Sequence, residues 1–229
     1  MRSMRRMVRW GFAGLAANVI AACSVLPPSQ TLDVYRLPET CGANACASVH
    51  DGTAQSAPDA ASPSGLAHRV TLRVVAPSAG NAISSARIAV IPEGDTLIAY
   101  RNARWTDPAP ELVGTRLVHA LAAQSAFNVV DRDVPVTADW ELRSHLGAFQ
   151  TEYRNGQPVV HVALDVWLID ASSRQIVATR HVDETEAPSA PAVPAVVQAF
   201  GRASDRLGDQ VATWVSGVIA SVPVDHASR

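Results

Sequence analysis

Cys23 carries the clearest chemistry in this chain, and it follows Ile20-Ala21-Ala22. An aliphatic residue, two small residues and a cysteine make the processing pattern of a bacterial lipoprotein signal. The peptidase requires small side chains ahead of the cut, and the thiol accepts a diacylglyceryl group through a thioether. A further acyl chain on the new amino terminus strengthens the anchor. Each buried methylene contributes about 0.8 kcal/mol, and stable anchoring takes more than one chain. Upstream, Arg2, Arg5, Arg6 and Arg9 form a positive region, and Trp10 to Ala22 carries no charge. That apolar run is shorter than the about 20 residues a helix needs to cross a bilayer. Residues 1–22 therefore read as a signal peptide, with Cys23 as the lipidation site and first residue of the mature chain.

Other reactive side chains are few. Cys41 and Cys46 stand in a C-x4-C stretch, and in an oxidising compartment a small local disulfide is the expected state. Free thiols are the alternative, because a metal site would want more ligands and only His50 is near. His145, His161 and His181 with Asp165 share the polar face of alternating strands, where histidines and carboxylates more often form a solvated surface than a site. There is no G-x-S-x-G, no H-E-x-x-H and no phosphate-binding glycine loop, and a chain without lysine cannot build a Walker motif. No catalytic residue, metal or cofactor is expected, and the chain is not read as an enzyme. Tyr100, Arg104 and Trp105 are the candidate partner-binding residues. They place aromatics and a planar cation in a loop entering a helix, a composition common at interfaces. The competing reading puts Trp105 over one edge of the core.

Charge narrows the partners. All 19 basic residues are arginine, four of them lie in the signal, and 21 acidic residues remain in the mature chain. The mature protein is therefore acidic overall, which argues against nucleic acid or anionic lipid as a partner, since both require a basic patch.

The elements that must carry these residues are legible from periodicity. After the Pro27-Pro28 tether, Leu32, Val34, Tyr35 and Leu37 form a short strand-like segment. Pro38 to Ala67 is rich in Ala, Ser, Pro and Gly with little to bury, and reads as a loop. The compact domain is expected over 69–221, with 23–68 as tether and loop and 222–229 as a tail. Strands are expected around Val70–Val75, Ile88–Ile91 and Asp95–Arg101, the last followed by the loop Asn102–Pro110. Asp107-Pro108 signals a helix start, and that helix would leave Arg116 and His119 to solvent. A strand at Phe127–Val130 precedes three alternating strands, at Ala138–Ala148, Val160–Leu168 and around Ile176–Val182. Asn155-Gly156 makes the first hairpin turn. A terminal helix from about Pro191 to Ala220 carries a long apolar stripe. The sum is an α/β (α+β) fold, a mixed and mostly antiparallel sheet with two main helices packed on it as a single domain.

Several of these segments carry a resemblance. The lipobox, Asp33-Val34-Tyr35-Arg36-Leu37 and Tyr100-Arg101-Asn102-Ala103-Arg104-Trp105-Thr106-Asp107-Pro108 resemble the ABC-type transport auxiliary lipoprotein family. So do Ala138-Asp139-Trp140-Glu141-Leu142, Val160-His161-Val162 and the helix bearing Ala199-Phe200, over roughly residues 20–216. The family includes the lipoprotein of the paraquat-inducible pathway. The resemblance implies an outer-membrane lipid anchor and a small periplasmic domain. It further implies work beside an ABC permease, its ATPase and a mammalian-cell-entry (MCE) domain protein, in moving lipids or other hydrophobic compounds between membranes. Ser24 is not the aspartate that retains many lipoproteins at the inner membrane, which agrees with that destination. A homo-oligomer is compatible with this picture. The Pro38–Ala67 stretch departs from the family pattern and leaves the start of the domain open. A competing function is a lipoprotein scaffold or activator of a cell-wall or secretion machine. A lipid carrier with its own cavity would be a third.

Overall fold

The computed structural model describes residues 31–39, 69–124 and 126–222. Cys23, Cys41 and Cys46 lie outside the described residues. The order is β1 (Asp33–Tyr35), β2 (Val70–Val74), β3 (Ser78–Ala79), β4 (Arg87–Ile91), β5 (Ile98–Trp105), α1 (Ala109–Ala122), β6 (Phe127–Asp131), β7 (Trp140–Arg154), β8 (Gln157–Asp170), β9 (Gln175–Glu186) and α2 (Val193–Ser221).

β7 is the spine of the nine-stranded mixed sheet. Along one of its edges β2, β3 and β4 pair with it in succession, all parallel. Along the other, β8 and then β9 add as a long antiparallel meander. β6 lies outside β2, β5 lies antiparallel outside β4, and β1 lies parallel outside β5. The sheet therefore recruits β1 from ahead of residue 69. Asn155 and Gly156, both at positive φ, make the β7–β8 turn that the Asn-Gly pair signals.

The apolar alternation of the meander faces the helices. In β7, Trp140, Leu142 and Leu146 point inward until the pairing shifts between Leu146 and Ala148. Beyond that bulge the inward positions become Phe149 and Thr151, so the simple period of two fails at one place for a local reason. The inward face of β8, Val160 to Leu168 at every second residue, is sealed by the α2 stripe of Val196, Val197, Phe200, Leu207, Val211 and Val215. Among the described residues no helix is long and apolar enough to cross a membrane.

Two expectations are corrected. The third strand runs to Trp105 rather than ending at Arg101, so Asn102–Trp105 is sheet and not loop. Pairing with both β4 and β1 supplies backbone partners that local sequence cannot reveal. Arg116 does not face solvent either. It enters the seam between the helices, with its side chain 12% exposed, and meets Asp205 at 2.7 Å.

Candidate functional site on the motif strand and the outer sheet face

β5 holds the three residues singled out for partner binding. Its pairing with β4 jumps between Arg87 and Ala89, which leaves Tyr100 to Asn102 in a bulge with Asn102 at φ 56°. Asparagine tolerates that left-handed conformation better than most side chains, which gives the motif asparagine a backbone reason. Past the bulge the strand resumes with Ala103 inward, Arg104 outward and Trp105 inward. β1 joins at this point, with Val34 opposite Arg104 and Tyr35 opposite Trp105. The Thr106 N–H donates to the Tyr35 carbonyl at 2.8 Å, and Pro108 then caps α1.

Trp105 is 0% exposed and belongs to the core. Its ring centroid lies 5.7 Å from that of Phe149 and 5.3 Å from that of Phe200, which are 4.6 Å from each other. A residue so enclosed cannot touch a partner directly, so its place here is in positioning β5. Tyr100 is half-buried, and burial pushes its hydroxyl up to about 12 against a smaller pull from Thr151, so it stays protonated. Arg104 remains on the outer surface, its Nε donating to the Trp105 carbonyl at 3.3 Å. The structure therefore separates the trio, with one residue in the core, one at its margin and one outside. It brings to Arg104 two neighbours that the sequence reading did not select, Val34 from β1 and Arg87 from β4.

Below β1 the chain continues between the helices. Leu37 is buried, and the Pro38 carbonyl accepts from Arg116 Nη2 at 2.7 Å. Arg36, Glu39, Asp107, Leu112 and His119 line an open cavity of about 360 Å³ beside it. Arg116 thus ties the segment after β1 to both helices. Arg116→Met keeps the packing of the stem but removes both polar links. It is expected to cost about 1 kcal/mol, a modest figure because Asp205 has other partners. Urea unfolding checks it.

The outer face of the meander carries a histidine–carboxylate ladder. Glu152 accepts from His161 Nδ1 at 2.7 Å, and His161 Nε2 reaches Asp183 at 2.8 Å. Asp183 lies 3.9 Å from His181, which bonds Asp165 at 2.7 Å, and Arg154 bonds Glu152 at 2.9 Å. His145 stands apart, against Ser78 at 3.0 Å. Burial pulls His161 down, but bonds to Asp183 and Glu152 outweigh it and raise its pKa. Burial pushes Glu152 up, yet His161, Arg154 and Gln150 together bring it below its ordinary value. Every histidine nitrogen in the core of this ladder is already engaged, and no cluster of metal-ligating geometry occurs among the described residues.

Linkage fixes the pH dependence. The raised His161 contributes fully below its ordinary value of 6.5 and loses that contribution as pH rises through its folded value. The lowered Glu152 contributes above its ordinary value of 4.5 and loses that contribution as pH falls through its folded one. The ladder is thus most stabilising between those two ordinary values. Asp183→Asn is expected to lower the His161 pKa and to cost about 1 kcal/mol within that window, and less above it. Histidine NMR titration and urea unfolding across pH measure both.

An α+β domain of this order, with β1 pinned by the Asn102–Pro108 segment, defines the class. A model of the ABC-type transport auxiliary lipoprotein component matches residues 53–212, and the chain belongs to that family. It is similar to a crystal structure from Xanthomonas campestris of the DUF330 family, at 25% identity and a TM-score of 0.62. That match covers 66% of this chain and 88% of the other. A hypothetical protein from Chlamydia trachomatis shares the fold at 7% identity and a TM-score of 0.50, over 67% of this chain and 99% of its own. No curated protein is similar enough in sequence to match.

Proposed function

We propose that this chain is a lipid-anchored, periplasm-facing accessory of an MCE-type ABC transport system at the outer membrane, acting as a docking component in the movement of lipids or hydrophobic compounds. Membership of the auxiliary family over residues 53–212, downstream of the Ile20–Cys23 lipobox, is the observation that carries this reading. The construction of the domain supports it. β1 follows the proposed lipidation site closely in sequence, and its pairing with β5 joins Asp33–Tyr35 to the sheet. Among the described residues, His145, His161 and His181 are engaged by Ser78, Glu152, Asp183 and Asp165, and the role proposed is non-enzymatic. The partners would be an MCE-domain protein, with the permease and ATPase of the same system.

Genetic interaction tests the assignment. Cells lacking this chain, lacking the permease, or lacking both are expected to show the same sensitivity to hydrophobic compounds. Greater sensitivity in the double deletion would place the two proteins in separate processes and contradict the proposal.

A further inference from the structure

A row of three side chains crosses the outer face where β1 meets the sheet. Val34 is registered opposite Arg104, and Arg104 opposite Arg87, across three adjacent strands about 4.8 Å apart. The two arginines form a directly opposed cross-strand pair of like charge, which destabilises a sheet unless something relieves it. Among the described residues neither has a carboxylate within ion-pair distance, nor does Arg101 on the adjoining bulge, whereas six other arginines do. Beside them Leu32 and Val34 are 53% and 55% exposed, on a strand that among the described residues pairs on one side alone. Exposed apolar groups on an open edge are a liability that proteins normally cover or blunt. Residues 24–31 are all that separate Cys23 from Leu32, a chain that reaches at most about 30 Å.

We propose that Leu32 and Val34 of β1, with Arg87, Arg101 and Arg104, form a face that rests on the phospholipid headgroup surface. The inference deepens the reading above and rests on acylation of Cys23. Phosphate groups of the lipid sit between Arg104 and Arg87 and remove their mutual repulsion, while the apolar pair enters the headgroup layer. Unpaired guanidinium groups suit this role because their planar donors match phosphate oxygens. The net acidic charge of the mature chain confines the contact to this patch. β1 thereby becomes an orienting element, and the anchored domain takes one stance on the membrane instead of swinging on its tether. The meander, with its ladder, lies at the opposite side of the sheet order from β1 and stays available to protein partners.

The variant Arg104→Glu separates this role from a structural one. It places opposite charges across the β4–β5 pair, so the fold is expected to hold or tighten while the phosphate contact is lost. Full-length acylated protein, purified from membranes, is reconstituted in phosphatidylethanolamine–phosphatidylglycerol vesicles and followed by hydrogen exchange. Amides of residues 32–36 and 101–104 are expected to exchange roughly fivefold more slowly in the parent than in Arg104→Glu, with the difference shrinking at high salt. Equal exchange in the two proteins would overturn the proposal. Protection of β1 that grows with protein-to-lipid ratio would overturn it in favour of a second copy on that edge. The intact mass of the same sample reports acylation separately. A mass without acyl chains removes the anchor, and exchange with the vesicles added still decides the face.

Discussion

Trp105→Ala is expected to destabilise the protein by about 3–5 kcal/mol, the largest effect of any substitution considered. The indole fills the space between Phe149 and Phe200, and all three rings are almost wholly enclosed. Alanine would leave a cavity that neither the long β7–β8 hairpin nor α2 can collapse into, because each is fixed by its own ladder or stripe. Trp105→Phe is expected to cost much less. Among the described residues the buried indole N–H has no hydrogen-bond partner, so removing it deletes a desolvated donor as well as some volume. Urea unfolding of the two variants measures the difference. Equal, small losses in both would mean that Trp105 is not the keystone of this core. A strong loss of partner binding in Trp105→Ala would then be read through stability first, since the residue has no exposed surface to offer.

Gly201→Leu is expected to cost about 2 kcal/mol and to act at a distance from the helix that carries it. A Cβ at this position would stand 2.7 Å from the Pro38 carbonyl oxygen, closer than real contacts allow. α2 cannot retreat, because Ala199, Phe200 and Ala203 around the site are 0% exposed. The movable part is the segment after β1, and releasing it gives up the burial of Leu37, about 2 kcal/mol, and the Arg116–Pro38 bond, about 1 kcal/mol. Leucine's better helix propensity returns somewhat under 1 kcal/mol. Hydrogen exchange would show residues 35–39 freed while α2 keeps its protection. Unchanged exchange in that segment would show that the glycine is not what admits it.

These two positions also show where the sequence was readable and where it was not. The apolar alternation of Val160 to Leu168 and the long stripe of α2 each depend on one period, and both elements stand where that period puts them. Asn155-Gly156 and Pro108 are local signals, and they too hold. Trp105 was ambiguous because its neighbours Asn102 and Arg104 are polar. Only pairing with β4 and β1, distant in sequence, turns that stretch into a strand with one buried edge. Arg116 looked like solvent-facing charge because nothing within α1 reveals that Asp205 and Pro38 converge on it. Gly201 carries no signal of its own in the sequence, and its purpose is visible only once Pro38 is in place. The Val34–Arg104–Arg87 row is likewise a product of register, built from three strands that are far apart along the chain.

Work beside a transporter is the role proposed for this domain. It is tested most directly by mild crosslinking in cells, capture of the anchored full-length protein and identification of what accompanies it. An MCE-domain protein together with a permease or ATPase of the same system is expected. Recovery of cell-wall or secretion components, with no transporter subunit among them, would contradict it and leave the fold and the family membership standing.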